Sequence, residues 1–186
     1  MTESRHLSPL LVAIFIMAIA AASAVSAASP DTNRTGDAER PSGSDLTGGW
    51  RFVRTRHPQG GPDAVSIMHT ANTSKSDLDL AGLMLRCGDG GAEILLILIR
   101  PFPPRARPKV TFGKSGSEIR FETNVVAPGT AILLPGDAAT LINGPWRSLS
   151  ELSIQVDDEQ VSIHGLVALT GLKSAFDVLT ANCRTR

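Results

Sequence analysis

From Trp50 onward, Gly, Pro, Asn and Asp cut the chain into apolar or alternating runs, each about as long as a β-strand. Punctuation of this kind makes strands and turns, because those residues supply turn geometry while the runs between them bury one face of a sheet. Residues 50–55 alternate; residues 65–70 follow the turn-rich Pro58-Gln59-Gly60-Gly61-Pro62, and residues 80–87 form a third run. Gly88-Asp89-Gly90-Gly91 then leads into residues 92–99, a pairing of runs across a tight turn that predicts a hairpin. Residues 92–99 are the most apolar run of this region, so a strand there is expected to be covered on both faces. Residues 109–112, 119–123 and 130–134 continue the series, each bounded by turn residues such as Gly113-Lys114-Ser115-Gly116-Ser117. Residues 151–156 and 161–168 read as a second hairpin around Asp157-Asp158-Glu159.

Two stretches have helical character. Residues 137–143 are a short candidate, with Asp137 as cap and Gly144-Pro145 as stop. Residues 172–182 carry Leu172, Ala175, Phe176 and Leu179 on one face, with Thr170 placed to cap. Roughly eight or nine strands and a terminal helix predict a mainly β fold: an antiparallel β-sandwich or open barrel with the C-terminal helix packed on it.

The N-terminus points outside the cytoplasm. Arg5 and His6 precede an apolar run over residues 10–22, followed by Ala22-Ser23-Ala24 and Val25-Ser26-Ala27 as cleavage sites. A permanent span needs about 20 apolar residues and this run is shorter, so a cleaved signal is expected and a membrane anchor is not. No Cys lies near the cleavage region to carry a lipid. Residues 1–27 are therefore read as a signal peptide and residues 28–48, polar and rich in Pro and Gly, as a flexible linker. Residues 49–186 form a single β-rich domain, periplasmic or secreted after cleavage. Asn33-Arg34-Thr35 matches a glycosylation sequon.

The sequence has two cysteines, Cys87 and Cys183. An even number in an oxidising compartment reads as a disulfide, with two buried free thiols as the alternative. Their spacing is not that of a metal knuckle. Eighteen basic and eighteen acidic residues balance to a net charge of +0, which gives no reason to expect nucleic acid or a membrane surface as partner. Tyr is absent and aromatic residues make up 4%, which argues against a carbohydrate or base-stacking platform.

The search for chemistry finds little. His57, His69 and His164 stand apart from one another and from other ligand types, so no metal or cofactor is expected. Asp77 and Asp79 are candidates for an acid–base pair, against the plainer reading of a polar lead-in to a strand. Gly88-Asp89-Gly90-Gly91 lacks the Lys and the following helix of a phosphate loop. One surface feature calls for a partner. Between residues 100 and 109, Arg100, Arg105, Arg107 and Lys109 are interleaved with four prolines and Phe102, which is expected to be exposed. Proline lowers the ordering cost of binding and Arg pairs with carboxylates in a forked geometry. These five residues are the candidate partner contact; a rigid solvated connector is the alternative.

Leu83-Met84-Leu85-Arg86-Cys87 runs into an apolar strand, Leu169-Thr170-Gly171-Leu172 opens a helix that ends at Cys183, and a Trp opens the domain. In these elements the chain resembles the periplasmic VasI-like proteins associated with type VI secretion, and is also similar to the invasion-associated locus B proteins. The resemblance implies an exported accessory protein without enzymatic activity, whose two cysteines are bonded; it implies no catalytic residues. The expectation is thus a non-enzymatic protein that binds another envelope protein. A small-ligand or inhibitor module, with a concave apolar pocket, is the first alternative. An envelope hydrolase using Asp77, Asp79 or His164 is the second.

Overall fold

The computed structural model describes residues 42–57, 59–113, 116–126, 128–159 and 161–183. The signal peptide, most of the linker and the sequon at Asn33 lie outside them. Among the described residues, β1 (Ser42–Asp45), β2 (Arg51–Thr55), β3 (Ala64–Thr70), β4 (Leu80–Gly88), β5 (Gly91–Leu98), β9 (Ala131–Leu133) and β8 (Asn124–Val126) form one sheet, in that spatial order. A second sheet has the order β11 (Ser162–Ala168), β10 (Glu151–Asp157), β6 (Lys109–Phe112), β7 (Ile119–Glu122). All the pairings are antiparallel.

Alternation sets which face is buried. In β10, Leu152, Ile154 and Val156 are buried while Glu151, Ser153 and Gln155 are not, as the two-residue period of a strand requires. Ile67, Leu83, Leu85, Ile94 and Leu96 of the larger sheet share one core with Val110, Phe112, Ile154 and Ile163 of the smaller. This is the expected β-sandwich. Residues 92–99 depart from alternation as the sequence suggests: Ile94, Leu96 and Leu98 enter the core, and Leu95, also buried, lies outside it.

The sheets meet at both margins without closing into a barrel. Between β7 and β8 the chain changes sheet at the buried Thr123, whose N–H and hydroxyl both donate to the Pro108 carbonyl, at 3.2 and 2.7 Å. At the other margin Ala71 bridges Val167, and the Asn72 and Asp77 amides donate to Leu166 and His164 of β11. Residues 71–77 therefore cover an edge strand that would otherwise offer unpaired backbone groups.

Helix α2 (Leu172–Asn182) packs on β3 and β4 with Leu172, Ala175, Phe176 and Leu179 buried, the four residues whose spacing predicts it. Cys183, directly after it, is bonded to Cys87 of β4, with 5.5 Å between Cα atoms. The other end is held by a backbone crossing. Gly48 and Gly171 both have left-handed φ, 77° and 80°, and a Cβ on either would overlap the backbone carbonyl of Thr170 or Thr47. Trp50, fully buried, donates its indole N–H to the Thr170 carbonyl at 3.2 Å.

Several local expectations change. Thr170 does not cap α2: Gly171 occupies that position with no side-chain cap, because the crossing needs a residue without Cβ there. Asp137 makes no side-chain cap either; its backbone carbonyl instead accepts from the Thr140 hydroxyl as a 3-10 turn (Gly136–Ala139) runs into α1 (Thr140–Asn143). Helix α1 stops at Gly144 as expected, and the following 3-10 turn, Pro145–Ser148, drives Trp146 into the core, 5.1 Å from the Phe112 ring. The linker expected through Gly48 yields at its end to β1 and a 3-10 turn (Thr47–Gly49). Strand β1 pairs with β2 through its backbone, and its Ser-Gly-Ser-Asp sequence holds no apolar signal to announce it.

The bond between Cys87 and Cys183 spans 96 residues. Loop-closure entropy in the unfolded chain makes such a link worth about 4–5 kcal/mol. Cys87→Ser is expected to lower unfolding stability in denaturant by that amount, and reduction of the wild-type protein to lower it equally.

Candidate functional site

The proline-rich loop between β5 and β6 is pinned to the fold along its length. The Phe102 amide donates to the Gly129 carbonyl at 2.9 Å, Ala106 to Pro103 at 2.9 Å, and the Pro108 carbonyl is held by Thr123. Phe102 itself is 8% exposed and belongs to the core. The expectation of an exposed Phe is thus corrected: the pinned backbone turns its ring inward, where it contributes to packing rather than to a contact surface.

The four cations divide by what they touch. The Arg100 guanidinium lies 3.2 Å from the Asp79 carboxylate, and the Asp79 carbonyl accepts the Ile99 amide, so both residues brace the start of the loop. Lys109 faces Glu122 across β6 and β7, 4.0 Å away. Arg105 and Arg107 are exposed and have no ion pair or side-chain hydrogen bond among the described residues. Beside the loop runs a groove of about 380 Å³, with Arg100, Pro101, Phe102 and Pro103 on one side. Asp158, Glu159 and Val161 of the β10–β11 turn, with Ile163 of β11, form the other. Its floor is apolar, one rim is acidic and the other is stiffened by proline.

Asp157 stabilises the base of that turn. Its carboxylate accepts from the Ser162 hydroxyl at 2.6 Å and from the Gln155 amide at 2.9 Å. The Ser162 hydrogen bond above all holds its pKa below the usual carboxylate value; partial burial opposes this, and Gln155, His164 and Arg120 assist.

The remaining candidates have structural partners. Asp77 accepts the His164 backbone amide at 2.7 Å and lies 3.7 Å from the His164 ring, while Asp79 pairs with Arg100, so the two carboxylates serve different ties. The Nδ1 of His57 accepts the Gln59 and Gly61 amides and closes a turn. His69 has one ring nitrogen on the Gly48 carbonyl and the other on that of Thr70, and its ring meets Trp50 edge-on. Among the described residues no three His, Cys, Asp or Glu side chains gather as a metal site would need, and no helix is long and apolar enough to cross a membrane.

A larger cleft, about 750 Å³, lies beside the disulfide and is lined by Arg54, His57, Asp63, Arg86, Cys87 and Glu93 among others. Within it Arg86 pairs with Glu93 at 2.7 Å, and Arg54 donates to the Asn182 side-chain oxygen at 2.7 Å. It is polar, unlike the concave apolar pocket that a small-ligand module calls for.

The chain matches no protein-family model and no curated protein. Its fold is similar to the crystal structure of invasion associated protein B from Bartonella henselae, at 12% sequence identity and a TM-score of 0.48. The likeness covers 75% of this chain and 96% of that one. It is a loose similarity to the second of the two families named from the sequence, and it assigns no function; with no family model matching, nothing supports the VasI-like resemblance.

The acidic partner of the loop, the β10–β11 turn, was visible in the sequence only as a hairpin tip, since nothing local says which distant loop it will face. Because the pKa of Asp157 is lowered on folding, its contribution to stability is present above the ordinary carboxylate pKa and is lost as pH falls through the lowered value. Ser162→Ala is expected to move the Asp157 midpoint upward in a side-chain NMR titration. The same variant should be slightly less stable at neutral pH and lose less on acidification.

Proposed function

We propose that this chain is an exported, non-enzymatic binding protein that contacts another protein of the cell envelope through its proline-rich loop and the adjoining groove. The observation that carries the reading is the state of Arg105 and Arg107. Both are exposed and, among the described residues, make no ion pair or side-chain hydrogen bond, on a loop anchored by Phe102 on one side and Pro108 on the other. A loop already held in one conformation gives up little entropy on binding, and guanidinium groups with no partner of their own are free to pair with carboxylates.

Export is supported by the basic start, short apolar run and small-residue cleavage sites of residues 1–27, which act as a removable signal. The cystine bridge suits an oxidising compartment such as the periplasm or the exterior. The absence of an enzymatic role is supported by Asp77, Asp79 and His164 being engaged in ties that hold the loops and β11. The groove beside the loop would take an apolar side chain of the partner over Phe102 and Ile163.

Crosslinking followed by recovery of the protein from intact cells tests this. The Arg105→Glu/Arg107→Glu double variant is expected to weaken partner binding by about tenfold or more, with thermal unfolding unchanged because both residues are exposed. Undiminished recovery of the same partner would contradict the proposal.

A further inference from the structure

The bond between Cys87 and Cys183 lies at the margin of the fold. Both cysteines are partly exposed and pack against the edge of the core. The cleft of about 750 Å³ opens beside them, large enough for a molecule the size of a short peptide. Among the described residues on its wall are Cys87, Ala181 and Asn182, but not Cys183, so a molecule in the cleft meets the Cys87 side of the bond. Strand register builds this arrangement. Arg54 stands opposite Val65, and the adjoining Ser66–Arg86 pair brings Val65 level with Cys87, one row across β2, β3 and β4. Asn182 and Cys183, at the end of α2, are tied to the outer two members of that row.

Two features let this bond open while the fold stays closed. The start of α2 is held separately, by the Gly48–Gly171 crossing and the Trp50 bond to Thr170, and Leu179 is fully buried one turn before Cys183. Breaking the bond therefore frees only the last turn. Arg54 is exposed, donates to the neutral Asn182 side chain at 2.7 Å and has no carboxylate partner among the described residues. A guanidinium next to Cys183 stabilises a thiolate leaving from it, against the negative end of the α2 dipole. We infer that Cys87–Cys183 is a thiol-exchange site, opened at Cys87 by a small thiol that enters this cleft. The incoming thiolate attacks the Cys87 Sγ; the S–S bond breaks, its electron pair leaves on the Cys183 Sγ, and a mixed disulfide remains on Cys87. A second molecule of the thiol then attacks the thiol-derived sulfur of that adduct. This releases the Cys87 thiolate and the oxidised dimer of the small thiol, so two electrons pass to the protein and solvent protonates both cysteines.

Reduced glutathione is the probe, applied to the full chain as the cell processes it, with rapid maleimide alkylation and peptide mass spectrometry as the readout. The native protein is expected to react within about 100-fold of the rate of the same protein unfolded in urea, whereas reaction through global unfolding would be slower by about 10³-fold or more. The native rate should also stay flat in urea below the unfolding transition. Early in the reaction glutathione should be found on Cys87 and maleimide on Cys183. Arg54→Gln should lower the native rate about two- to fivefold relative to its own unfolded reference. The rate and the adduct position are read on the wild-type protein, so neither depends on the variant folding. A rate that needs global unfolding, glutathione on Cys183, or a native rate not lowered in Arg54→Gln overturns the inference.

Discussion

Helix α2 is apolar on one side only, and its two ends are secured to the larger sheet by different means. At the C-terminal end Cys183 is bonded to Cys87. At the N-terminal end the backbones at Gly48 and Gly171 cross in contact, with the Trp50 indole bonded to the Thr170 carbonyl. Between these points Leu172, Ala175, Phe176 and Leu179 lie on β3 and β4. Burying Leu172, Phe176 and Leu179 contributes about 1.5–3 kcal/mol each before ordering entropy is subtracted. The helix thereby joins the same core that the two sheets share.

The surface follows a different logic. Several charged groups near the cavities and loops are held in fixed ties: Arg86 with Glu93, Arg100 with Asp79, and Asp77 with the His164 amide. Exposed pairs of this kind contribute little to stability, commonly under about 1 kcal/mol, but they fix loop positions. Arg105 and Arg107, by contrast, make no ion pair or side-chain hydrogen bond among the described residues.

Legibility from the sequence tracked how local the physical signal was. The spacing Leu172, Ala175, Phe176, Leu179 specifies an amphipathic helix by itself, and Gly88-Asp89-Gly90-Gly91 between two apolar runs specifies a hairpin; both stand as read. Strand β1 was not legible because it is held by backbone pairing to β2 and has no apolar residue. The run over residues 119–123 ends at the Thr123 corner, beyond which β8 joins the other sheet, and only the Pro108 carbonyl explains why the chain turns there. Phe102 looked exposed amid prolines and charges, and its burial follows from Gly129, far along the chain, taking its amide proton. Of the contact set, Arg105 and Arg107 have no ion pair among the described residues, whereas Arg100 and Lys109 are paired; those pairings depend on Asp79 and Glu122, which local sequence does not bring near.

The central claim is that the loop carrying Arg105 and Arg107 is a preformed platform rather than a flexible arm. Amide hydrogen exchange of Phe102, Ala106 and Thr123 in the free protein tests it most directly, since their N–H groups bond to Gly129, Pro103 and Pro108. The account predicts slow exchange at Phe102 and Thr123, comparable to the sheet amides around them, with measurable protection at Ala106. Exchange at all three as fast as in an unstructured chain would contradict it.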